Sequence, residues 1–169
     1  ALRNGAGHVD AVDIDPAIVR FGRQLHPESP YQAPNVKVII NDARSYIQHT
    51  KKKYDLIVYG QIDSTTLLSS VSGGVRLDSY VFTREALRQS RSILKEDGMM
   101  FFMFTAITPE LGRKLYLTLQ EVFDGQAPFV YNAGFMAGGG IQKYLIAHPL
   151  NGDAQDALFA SGTLRADIA

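Results

Sequence analysis

A chain of 169 residues, 46% hydrophobic and 20% charged, is long enough for one domain with a single sizeable core. Lys plus Arg and Asp plus Glu each number 17, so the charge balance gives no sign of a nucleic-acid or anionic-membrane surface. The absence of cysteine excludes disulfides, thiolate metal sites and a cysteine nucleophile. No apolar run approaches the roughly 18 residues of a membrane-spanning helix, residues 1–16 do not read as a signal peptide, and the chain is expected to be soluble.

Residues 1–7 are a small-residue lead-in with Gly5-Ala6-Gly7 and no strand before it. Residues 8–13 read as a strand that runs into Asp13-Ile14-Asp15-Pro16. Asp15 suits an N-cap with Pro16 at the first helical position, and Ile18, Val19, Phe21, Gly22 and Leu25 recur at helical spacing. The proline-rich stretch 26–34 is a loop, and the β-branched run Asn35–Ile40 is a second strand. Asn41-Asp42-Ala43-Arg44 leads into a short helix through Tyr46 and Ile47 to His49, and Lys51–Lys53 form a solvated turn. Tyr54–Tyr59 is a third strand ended by Gly60, followed by a Ser/Thr/Gly-rich loop to about Leu77.

Residues 78–95 carry a helical pattern with Tyr80, Val81, Leu87, Ile93 and Leu94 facing inward, stopped by Glu96-Asp97-Gly98. Met99–Thr105 is nearly all apolar, as in a central strand covered on both faces. Thr108 is the expected N-cap of a helix reaching about Phe123. Strands near Phe129–Tyr131 and Lys143–Ala147 flank Gly138-Gly139-Gly140 as an antiparallel hairpin. Residues 150–169 are a polar, alanine-rich tail, helical from Asp153 to Phe159.

This alternation predicts an α/β, doubly wound, mostly parallel sheet over residues 1–149, closed by the hairpin. Ligands of such sheets bind outside the carboxyl ends of the strands, where Asp13, Asp42 and the segment Gly60–Asp63 are expected to converge. A carboxylate at Asp13 can accept both hydroxyl hydrogens of a ribose, or it can simply cap the next helix. Asp42 can accept from an exocyclic adenine amine while the Ala43 amide donates to a ring nitrogen, or it can be the N-cap of the helix starting at Ala43. Tyr59 and Tyr80 lie toward the crevice, where a ring could stack on a ligand, whereas Phe101, Phe102 and Phe104 read as core.

Other chemistries find no support. The four histidines are dispersed without metal-ligand spacing, no serine sits in a Gly-x-Ser-x-Gly elbow, and the glycine run at 138–140 lacks the strand-then-helix context of a phosphate cradle.

Taken in order, Val12-Asp13-Ile14-Asp15-Pro16, Asn41-Asp42-Ala43-Arg44-Ser45-Tyr46-Ile47, Tyr54-Asp55-Leu56-Ile57-Val58, Tyr80-Val81-Phe82-Thr83-Arg84-Glu85 and Leu94-Lys95-Glu96-Asp97-Gly98 resemble the spermidine and spermine synthases. These share the fold of class I S-adenosylmethionine-dependent methyltransferases. The resemblance covers about residues 8–148. It implies a transferase moving an aminopropyl or methyl group to an amine or other nucleophile, with S-adenosylmethionine or its decarboxylated form as cofactor and a small-molecule substrate such as a polyamine. It also implies Asp13 and Ile14 at the ribose, Asp42 and Ala43 at the adenine, and Tyr59 and Gly60 leading into the loop over the reacting groups. Gly60–Ser69 with Val75–Asp78 resembles a bacterial branch whose synthase-like domain follows a multi-span membrane region, which implies a cytoplasmic domain on a parent anchored in the inner membrane.

Two departures qualify what the resemblance implies. The family has a glycine-rich strand-to-helix turn before the acidic strand, and its first strand is central to the sheet. Both would precede Ala1, so the 169 residues are expected to be part of a longer protein, with strand edges that a second copy of the chain could cover. The synthases also carry an aspartate directly after the third strand that helps deprotonate the attacking amine. Gly60 stands there, and glycine cannot accept a proton. Asp63 matches the family's second loop acid and is the remaining catalytic candidate. The alternative function is a non-catalytic nucleoside-binding or interaction domain.

Overall fold

The computed structural model describes residues 1–60, 77–106, 109–136 and 139–147. The readings of Asp63, Thr108, Gly138 and the tail lie outside the described residues. Val9–Asp13 (β1) and Val36–Ile40 (β2) pair in parallel, from Val9 opposite Val36 to Asp13 opposite Ile40. Parallel neighbours need a crossover, and local chemistry starts it. The Asp13 carboxylate accepts the Asp15 amide at 2.9 Å, and Asp15 accepts the Ala17 amide at 2.7 Å as N-cap of helix α1 (Pro16–Leu25). Gly22 leaves room for the Tyr31 ring from the turn Pro30–Gln32; a β-carbon at 22 would collide with it. After β2, Asp42 caps α2 (Ala43–His49) by accepting the Ser45 amide at 2.7 Å. These elements make up the first of two compact units, Ala1–Thr50.

The second unit, Lys51–Ala169, holds β3 (Tyr54–Tyr59), α3 (Arg84–Ser92), β4 (Leu94–Ala106), α4 (Pro109–Val122), β5 (Phe129–Met136) and β6 (Gly139–Ala147). Its sheet runs β3-β4-β6-β5, with β3 parallel to β4 and the hairpin antiparallel. The hairpin strands are longer than expected, and Gly139 and Gly140 sit in ladder positions opposite Met136 and Phe135. Helices α3 and α4 pack on β4, whose Met100, Phe102 and Phe104 are buried together with Leu87, Leu115 and Leu119.

Two expectations are corrected. The helical pattern over 78–95 is not one helix. Leu77–Phe82 is a 3-10 segment, and Thr83 starts α3 by accepting the Ala86 amide at 3.2 Å. Leu94 already belongs to β4, opposite Tyr54. Val81, Leu87, Ile93 and Leu94 are buried, but Tyr80 is exposed. The register shifts over Lys95–Gly98, where Gly98 is required: a β-carbon there would lie 2.9 Å from the Tyr54 carbonyl oxygen.

Nor are the two faces of β4 equally buried among the described residues. Phe101 and Met103 are half-buried, and Leu56 and Val58, the latter opposite Phe101, are 47% and 54% exposed. The described strands pair as two sets, β1-β2 and β3-β4-β6-β5, as expected of this fold read without its central first strand. Each strand has two hydrogen-bonding edges, and among the described residues β1 pairs only with β2 and β3 only with β4. No helix among the described residues is long and apolar enough to cross a membrane.

Candidate adenosine site

The parallel register of β1 and β2 brings Asp13 and Asp42 to the same end of the first unit. The Asn41 amide extends the ladder by donating to the Asp13 carbonyl at 3.0 Å, and the Asp42 amide donates to the Asn41 side-chain oxygen at 2.9 Å. Both acids do act as caps. Asp13 Oδ1 closes the turn into α1, and Asp42 Oδ1 holds the first turn of α2. Each task uses one carboxylate oxygen, and the second oxygen of each has no hydrogen-bond partner among the described residues. The Ala43 amide, at the first helical position of α2, has no intrahelical acceptor. Two acceptors and one donor therefore sit at one strand end, with Ile14 beside them, 59% exposed.

The remaining predicted residues lie in the second unit. Tyr59 ends β3, but its side chain is core. It is 3% exposed, its ring lies 4.7 Å from that of Phe102 and 6.0 Å from that of Phe82, and its hydroxyl is 2.6 Å from the Ser90 hydroxyl. A ring enclosed in this way cannot stack on a ligand, and what this position offers to a crevice is backbone. Burial pushes the Tyr59 phenol up to about 12, with the Ser90 hydrogen bond acting in the opposite direction. Because the folded state favours the neutral phenol, this stabilisation is complete below pH 10 and is lost as pH rises toward 12. In an alkaline titration, one of the eight tyrosines is expected to form phenolate late, together with unfolding. Eight tyrosines ionising together near pH 10 in a folded protein would contradict this. Gly60 follows, with nothing among the described residues within 4 Å of where a β-carbon would stand.

One buried acid escaped the sequence reading. The Asp10 side chain is 1% exposed, with one oxygen 3.0 Å from His8 Nε2 and the other accepting the Tyr46 hydroxyl at 3.0 Å. An acid between Val9 and Ala11, inside a strand, is the signal the sequence offers. Among the described residues no group of three or more His, Asp or Glu side chains could hold a metal ion.

Comparison with known proteins decides the family. Residues 4–139 match the spermine/spermidine synthase domain. The chain belongs to the spermine/spermidine synthase family. It is 30% identical over 121 residues to a polyamine aminopropyltransferase of Thermoplasma acidophilum, an alignment covering 70% of this chain and 41% of that protein. A polyamine aminopropyltransferase of Saccharolobus islandicus is 28% identical over 167 residues, covering 91% and 52%. The chain thus spans about half the length, or less, of these curated relatives.

Among solved structures, a spermidine synthase in complex with the transition-state analogue AdoDATO superposes with a TM-score of 0.66 at 18% identity, covering 86% of this chain and 48% of that one. Human methyltransferase-like protein 13 in complex with SAH gives 0.66 at 20% identity, covering 96% and 74%. The fold is accordingly the α/β fold shared by spermidine synthases and these methyltransferases.

Proposed function

We propose that this chain supplies the adenosine-binding half of a transferase that uses S-adenosylmethionine or its decarboxylated form, acting on a small-molecule nucleophile such as a polyamine. The observation that carries this reading is the shared strand end at which Asp13 and Asp42 each keep one carboxylate oxygen uncommitted beside the Ala43 amide. A ribose presents hydroxyl hydrogens and an adenine edge presents an amine next to a ring acceptor. Asp13 would take the hydroxyls, Asp42 the amine, and Ala43 would donate to the ring nitrogen. When bound, the cofactor supplies an electrophilic carbon on a sulfonium sulfur. The contribution of these residues is to hold and orient it.

A second reading, a nucleoside-binding domain without catalysis, is favoured by Gly60. Among the described residues nothing lies within 4 Å of where a side chain at 60 would begin, and glycine itself cannot take a proton from an amine, which leaves Asp63 as the remaining loop acid. Methyl transfer to a nucleophile that needs no strong base remains compatible with Gly60. The similarity of Gly60–Ser69 to the membrane-anchored bacterial branch supports a cytoplasmic placement of the domain on such a parent.

Calorimetric titration of the full-length protein with S-adenosylmethionine, decarboxylated S-adenosylmethionine and methylthioadenosine tests the proposal. At least one should bind. Absence of binding by all three would defeat both readings, and binding without group transfer to any amine would select the second.

A further inference from the structure

Tyr46 is bonded both to the capping residue of its own helix and to β1, the strand that carries Asp13. Its amide donates to the Asp42 carbonyl at 2.9 Å, and its hydroxyl donates to Asp10 Oδ2 at 3.0 Å. Asp10 lies on β1 three residues before Asp13, in the same strand, with its side chain 1% exposed and its other oxygen held by His8. Asp42 and Tyr46 are separated by one helical turn, so they share one side of α2.

The β1–β2 ladder fixes Asp13 against Ile40 and, through the Asn41 amide, reaches one residue further. Asp42 is the next residue, at the head of a helix of only 7 residues. A helix this short does not hold its direction by its own hydrogen bonds. Pivoting about its junction with β2 would swing the Asp42 carboxylate and the Ala43 amide together, away from Asp13. The Tyr46–Asp10 bond gives α2 a second point of attachment to β1 and removes that freedom. Because the acceptor is buried, the bond does not compete with bulk water and the alternative to it is an acid that has lost a partner.

We infer that Tyr46, acting through Asp10, is a positioning residue that sets the preference of this site for adenine. The inference rests on the adenosine reading above. Inosine is the discriminating probe, because it presents a carbonyl where adenine has the amine and an N–H where adenine has the ring acceptor. Both the Asp42 and the Ala43 contacts are then mismatched, while the ribose is unchanged.

The experiment titrates the full-length protein and its Tyr46→Phe variant with adenosine and with inosine, with melting curves run alongside. The wild type should prefer adenosine. Tyr46→Phe keeps the ring and removes only the hydroxyl, and it should lower that preference by roughly fivefold to tenfold, the equivalent of one net hydrogen bond, while inosine affinity stays the same. An unchanged preference in the variant overturns the inference and leaves the adenosine reading standing. Equal loss of both nucleosides, through unfolding or otherwise, makes Tyr46 merely structural and also overturns it. A wild type that does not distinguish the two nucleosides defeats the adenine assignment itself.

Discussion

Replacing Asp13 with alanine in the full-length protein should abolish measurable nucleoside binding. Hydrogen bonds to a charged group contribute about 1.5–3 kcal/mol each, so losing the two that a ribose diol can donate costs roughly 3–6 kcal/mol, a fall in affinity on the order of a hundredfold to ten-thousandfold. The substitution also removes the acceptor of the Asp15 amide, a capping-type loss of about 1 kcal/mol, and stability has to be measured beside affinity. Asp13→Asn separates the two effects. The asparagine oxygen can still accept the Asp15 amide and close the turn into α1, but the negative charge is gone, so stability should be retained while affinity drops. Unchanged affinity in Asp13→Ala would remove the ribose from this residue, leaving its observed bond to Asp15 as its whole role.

The parts of this site that were legible in the sequence are those governed by neighbours in the chain. Asp15 before Pro16 gave the start of α1, and Asp42 before Ala43 gave the start of α2, because an N-cap acts within its own first turn. Strand order then carried Asp13 and Asp42 to one end without any knowledge of side-chain contacts. The Asp10–Tyr46 bond spans 36 residues and has no local pattern to announce it. A tyrosine that ends a strand is expected at the crevice, yet the alternation of β3 turns Tyr59 onto Ser90 of α3, the side opposite Leu56 and Val58.

The break between Phe82 and Thr83 was readable in principle, since Thr83 precedes Arg84-Glu85-Ala86 as a capping residue would. Apolar residues recurring from Tyr80 to Leu94 at near-helical spacing masked it. The division of the described strands into β1-β2 and β3-β4-β6-β5 was legible through the resemblance alone, because a family whose first strand is central leaves its neighbours on either side unjoined when that strand is not among the residues read.

Truncating Phe102 should cost the most stability of any single side chain discussed. It is 0% exposed, it pairs across the sheet with Tyr59, and their rings are 4.7 Å apart. Phe102→Ala should destabilise the protein by about 3–5 kcal/mol, the transfer and cavity cost of a fully buried phenylalanine, read as a lower urea midpoint with an unchanged slope. The cavity would also give the Tyr59 phenol access to water, so its ionisation should move from about 12 back toward 10. Phe101 is the control, because it is the neighbouring ring on the opposite, half-open face of β4. Phe101→Ala should cost about 1–2 kcal/mol less than Phe102→Ala, since it gives up only part of the burial. If the two substitutions cost the same, both faces of β4 are covered in the folded protein, and the exposure of Leu56 and Val58 would not describe its working form.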